Sequence, residues 1–129
     1  MLSRCVENHG TKADDLTIQS LIEQSHSTSK SKGWWDDSPE GDPRVVPSLL
    51  MLIVSEISEA LEEHRHGRAP DEIWYTAEGK PEGVPVELAD AVIRICDMCG
   101  KWNIPLVRAL VEKAAYNQTR PHRHGGKVV

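Results

Sequence analysis

Apolar positions recur at helical spacing in four stretches of the 129-residue chain, and polar connections rich in Gly and Pro separate them. The first helix is expected from about Leu16 to Ser29, with Leu16, Ile18, Leu21 and Ile22 apolar and Asp14, Asp15 and Thr17 as candidate caps. The second should start near Pro47-Ser48 and run to about His66, since Pro47 suits a first turn and Gly67 an end. On it Leu50, Ile53, Val54, Ile57 and Leu61 share one stripe, the expected core face. Glu56, Glu59 and Glu63 form the adjacent stripe and so border that core. A third helix, about Pro85 to Trp102, is apolar nearly all round, through Val86, Leu88, Ala89, Val92, Ile93, Ile95, Cys96 and Cys99. Its polar residues Glu87, Asp90, Arg94 and Asp97 share one narrow face, and such a helix is usually central. A fourth, about Pro105 to Asn117, turns Leu106, Val107, Leu110, Val111 and Ala114 inward. No stretch alternates as a strand should, so the pattern predicts an all-α, four-helix arrangement.

The connections divide the chain further. Residues 1–15 are polar and patternless and read as a flexible N-terminal segment. Residues 16–120 form the helical domain, and residues 121–129 are a basic, Gly-rich tail. Between the first two helices lies a broken segment that carries Trp34 and Trp35, unusual residues for a loop. Residues 67–83 read as a loop or inserted flap bearing Trp74 and Tyr75.

Composition narrows the function. A net charge of −5 argues against a protein that wraps duplex nucleic acid. The longest apolar run, Leu49 to Val54, is too short to span a membrane, and the first residues contain no signal-peptide core. Cys96 and Cys99 lie in an apolar helical pattern without a second ligand pair, which favours buried thiols over a zinc or redox site. A reducing, cytoplasmic location is the expectation. A chain of this length buries only a modest core, so association with copies of itself is expected.

The chemistry comes from two acidic pairs, Glu56-x-x-Glu59 and Glu87-x-x-Asp90, each on its own helix. Carboxylates three apart on a helix point the same way. Two such helices side by side would gather four carboxylates, and four acids in a partly buried place need a cation. A hard divalent ion with oxygen ligands is the natural one: Mg²⁺ first, with Mn²⁺ able to substitute. Asp97 and Glu63 are candidate outer ligands, and Arg94 is a candidate partner for Glu87 and Asp90. Lys113, Arg120 and Lys127, with Asn117, could complement such a site for polyphosphate, and Trp34 and Trp35 could stack on a nucleobase.

These residues resemble the MazG-like, all-α nucleoside triphosphate pyrophosphohydrolases. The resemblance is carried by His26 with Lys32-Gly33-Trp34-Trp35 and by IVSEISEALEEHR, which ends at Arg65. It extends through VELADAVIRICDMC, Lys113…Tyr116-Asn117…Arg120-Pro121 and His124-Gly125-Gly126-Lys127. It implies the four-helix bundle of that family, associated into homodimers or homotetramers. It implies Mg²⁺-dependent hydrolysis of a nucleoside or deoxynucleoside triphosphate to the monophosphate and pyrophosphate, by attack of water on the α-phosphorus. Glu56, Glu59, Glu87 and Asp90 would be metal ligands and catalytic groups. His26, Trp34, Trp35, Lys113, Asn117, Arg120 and Lys127 would bind substrate. Among the glutamates, Glu59 is the expected base. The chain departs from the family pattern in the long aromatic 67–83 connection.

Two other readings compete. A di-iron bundle would need two E-x-x-H motifs on different helices, and Glu63-x-x-His66 is the single example. A non-catalytic nucleotide-binding or regulatory helical protein would keep the bundle without turnover.

Overall fold

The computed structural model describes residues 12–37, 42 and 44–129. The protein is mostly helical: α1 (Ile18–Ser31), α2 (Val45–Arg65), α3 (Val84–Trp102) and α4 (Leu106–Thr119), with a 3-10 turn at Ala13–Asp15. Residues 1–11 of the expected N-terminal segment lie outside the described residues.

Local chemistry explains the boundaries. Thr17 caps α1: its hydroxyl accepts from the Ser20 amide at 3.0 Å, while the Ser20 hydroxyl accepts from the Thr17 amide at 2.9 Å. Gly67, at φ 87°, carries the chain out of α2. Asn103 ends α3 in the left-handed conformation at φ 51°, a shape Asn tolerates, and Pro105 bars any continuation. Near the C-terminus, Arg123, His124, Gly125 and Gly126 all have positive φ and close one left-handed turn, which explains the paired glycines.

The 67–83 connection reads in the sequence as a loop or inserted flap. It folds as a β-hairpin, β1 (Trp74–Tyr75) antiparallel to β2 (Pro81–Glu82), with Trp74 opposite Glu82. Its turn is tied by the Gly79 amide to the Thr76 carbonyl and by the Lys80 amide to the Thr76 hydroxyl. Two residues per strand are too few to show alternation in a sequence. The hairpin hands directly to α3 at Gly83, which sits at φ 125° with the Glu72 backbone so close that any Cβ would collide with its carbonyl oxygen.

Helix α3 is the centre, with α1 packed on one side and α2 on the other. The α1 side holds the core cluster Ile22, Cys96 and Cys99, against which Leu21, Ile95 and Leu106 pack. Gly100 lets α1 come close: a Cβ there would stand 2.5 Å from that of His26. Cys96 and Cys99 are free and buried, and burial pushes both thiols up, away from the reactive thiolate. The α2 side buries Ala60 and Ala91.

Two expected core faces are open in this chain. On α2 the stripe Leu50, Val54, Ile57 and Leu61 is about half exposed, and the residues turned inward are Leu49, Ile53, Glu56, Ala60 and Glu63. On α4 no residue is buried; Leu106 leans on the core, while Leu110 and Val111 are exposed. A single chain is therefore a layer of three packed helices with α4 standing off it.

Candidate metal and ligand site

Glu56 projects from α2 toward α3, and Glu87 and Asp90 lie one turn apart on α3. Each offers a carboxylate oxygen within 4.8 Å of the other two. The group is short of positive charge. Burial, then a hydrogen bond to the Glu56 carboxyl and the negative charges of Asp90 and Glu56, push the Glu87 carboxyl up to about 7. Burial and the Glu56 charge raise Asp90 as well, against the pull of Arg94 and Lys80. Arg94 bonds Glu56, Nε to Oε1 at 2.7 Å, and its charge also reaches Asp90.

A second acid group joins the first through Glu87. Glu63 and the hairpin residue Glu82 each bring an oxygen within 4.8 Å of Glu87 and of each other. Trp74 Nε1 donates to Glu63 at 3.1 Å, and Lys80 Nζ pairs with Glu82 at 2.9 Å. The Arg68 guanidinium lies over the Trp74 ring at 4.3 Å, which fixes the indole from the other side. Glu82 and Lys80 did not emerge from the sequence pattern. The signal that could have found them is the aromatic pair Trp74-Tyr75 followed by Thr76-x-x-Gly79, a hairpin whose return strand carries Glu82. Glu59 lies on α2 between Glu56 and Glu63, is exposed, and belongs to neither acid group.

Beside the first acid group opens a cleft of about 740 Å³ between α1, α2 and α3. Glu56, Asp90 and Arg94 line one part of it; Leu21, Leu52 and Ile93 give it an apolar floor. Asp97 lies further along α3 in the same cleft and gathers two donors on one oxygen: His26 Nδ1 at 2.9 Å and Trp35 Nε1 at 3.0 Å. Trp35 also stands edge-on to His26 and Trp102. Trp34 lines the cleft and is 78 % exposed, an unpacked indole available to a flat ligand.

The basic residues of the C-terminal part are not brought to this cleft within one chain. Lys113 and Arg120 sit over the Tyr116 ring, at 5.0 and 5.8 Å, on the free-standing α4. Asn117 and Lys127 are exposed.

The donor set suits a hard divalent cation. It consists of carboxylate oxygens, without the sulfur or imidazole that a softer metal would select, and a carboxyl held near neutrality marks a place where added positive charge is stabilising. No family model, no curated protein and no solved structure matches the chain. Among the described residues no helix is long and apolar enough to cross a membrane.

Proposed function

We propose that the protein is a Mg²⁺-dependent hydrolase that cuts nucleoside or deoxynucleoside triphosphates to the monophosphate and pyrophosphate, as its resemblance to the MazG-like enzymes implies. The observation that carries this reading is the meeting of Glu56, Glu87 and Asp90 at the edge of a cleft walled by Trp34 and Trp35. Such a cleft offers one end to phosphate held through a cation and the other to a flat ring.

Glu56, Glu87 and Asp90 would hold the ion, and the Glu63/Glu82 pair, which shares Glu87 with them, could hold a further one. Bound there, Mg²⁺ supplies neutralisation of phosphate oxygens and a water of lowered pKa. The chain's own residues do the rest. The carboxylates beside the ion accept the proton of the attacking water. Arg94, which pairs with Glu56 and lines the same cleft, would take a phosphate oxygen through its remaining N–H groups. The apolar floor and Trp34 hold the ring and keep the reacting end in register.

The function is read with two or more copies joined through the open α2 and α4 faces, in a dimer or tetramer. Such an assembly would complete the four-helix bundle and can carry Lys113, Asn117 and Arg120 to the acids. The competing reading is a nucleotide-binding protein without turnover.

The deciding assay is phosphate release from a panel of triphosphates in Mg²⁺, with and without inorganic pyrophosphatase. Phosphate that appears only with pyrophosphatase supports cleavage between the α- and β-phosphates. Phosphate without it means another bond is cut. No release from any nucleotide, together with measurable binding, favours the non-catalytic reading.

A further inference from the structure

The carboxylate of Asp97 is used asymmetrically. His26 Nδ1 and Trp35 Nε1 both converge on Oδ1. An indole N–H can only donate, and a carboxylate oxygen accepts, so Nδ1 of His26 carries the proton in this arrangement. Both of these donors thus share one oxygen, and Asp97 itself lines the cleft. The two donors and the edge-on stack of His26, Trp35 and Trp102 leave the carboxylate little freedom to turn. Oδ1 is therefore fixed by the fold, so Oδ2 is the oxygen that a ligand in the cleft would meet.

Its position along α3 gives that oxygen a use. Asp90 and Asp97 are seven residues apart on one helix, two turns or about 10 Å along the axis, and both line the same cleft. Leu21, Leu52 and Ile93 pave the floor, and Trp34 stands open at the wall. A ligand whose phosphates lie at Asp90 would set its ring near Asp97. An acceptor-only group beside a flat ring discriminates between ring edges. It takes a hydrogen bond from an exocyclic amino group and repels a carbonyl oxygen in the same place.

We propose that Asp97 reads the base: the cleft selects nucleotides whose ring carries an exocyclic amino group, cytosine or adenine, over those with a carbonyl at that position, uracil or hypoxanthine. This rests on the nucleotide reading of the site and adds the class of base. His26 and Trp35 are positioning residues, which hold the Asp97 carboxylate with one oxygen outward.

The test is equilibrium binding in Mg²⁺ of non-hydrolysable α,β-imido analogues of dCTP, dUTP, ATP and ITP to the wild-type protein and to Asp97→Asn. The wild type should favour dCTP over dUTP and ATP over ITP by about tenfold or more. Asp97→Asn keeps one oxygen for the two donors and turns an amide N–H₂ outward, so its preference should reverse toward uracil and hypoxanthine. A second measurement needs no variant: a dCTP analogue dimethylated on the exocyclic nitrogen, which has no N–H to give, should lose the advantage of dCTP on the wild type. Equal affinity of the wild type for amino and oxo bases, or an unchanged preference in a folded Asp97→Asn, would overturn the inference and leave the nucleotide reading standing. Failure of every nucleotide to bind would remove both.

Discussion

Two faces of α2 reverse the usual rule of folding. The face turned to α3 begins with Leu49 and Ile53 and then carries Glu56 and Glu63 around the buried Ala60. The face turned to water carries Leu50, Val54, Ile57 and Leu61, each about half exposed. Two carboxylates lie inside while four large apolar side chains lie outside. A chain selected only for the stability of its monomer would place them the other way, because burying carboxylates is costly and burying leucine is favourable. The inversion makes sense if each face is completed by something beyond the chain: a cation for the inner one, and a second copy for the outer one.

Replacing the inner acids separates function from stability most sharply. Glu56→Gln or Asp90→Asn should lower pyrophosphate release at least about a hundredfold while the helical circular dichroism is retained. Glu87→Gln should do the same to turnover and also raise the melting temperature of the metal-free protein by a few degrees, since it removes a charge that the neighbouring acids disfavour. Loss of fold in all three variants would mean that the acids serve the structure and not a cation.

The outer face should respond in the opposite sense. Ile57→Arg places a charge on a half-exposed position, so within one chain it should cost less than about 0.5 kcal/mol. In an oligomer the same charge would be buried without a partner, and light scattering should show dissociation to monomers at micromolar concentration. A wild-type protein that already runs as a monomer would leave the apolar stripe without its assigned occupant.

Much of this was legible along the chain, and the failures have physical causes. Helix positions emerged to within about two residues because apolar periodicity and end signals such as Thr17, Gly67 and Asn103-Ile104-Pro105 act locally. Glu56, Glu87 and Asp90 were legible for the same reason, since spacing on a helix fixes direction. Which stripe of α2 faces α3 was not. Periodicity shows that a helix has an apolar face, and that face can await a second chain as readily as its own core. The position of α4 was hidden likewise: its apolar residues look the same whether they pack within the chain or beyond it. Glu82 stayed hidden because a hairpin with two-residue strands reaches the acids through tertiary placement alone. The bond between Asp97 and His26 joins residues 71 apart, beyond any local pattern.

The finest probe of the inner face is its response to pH. Glu87 in the folded, metal-free protein holds its proton up to about pH 7, whereas in the unfolded chain it releases it near the ordinary glutamate value of 4.5. Between those values the folded state binds more protons than the unfolded one, so unfolding free energy must fall as pH rises. The contribution from Glu87 is largest below about pH 4.5 and is lost as pH climbs to about 7, the reverse of an ordinary ion-paired carboxylate. Asp90, raised in the same direction, adds to the slope. A divalent cation changes the sign. It favours the ionised carboxylates, so a millimolar excess of Mg²⁺ should give little stabilisation at pH 5 and more at pH 7.5. Melting temperatures recorded across that range, with chelator and with Mg²⁺, should therefore diverge as pH rises. Parallel curves would mean that the inner acids of α2 and α3 ionise without regard to the metal, and the contrast between the two faces would lose its electrostatic half.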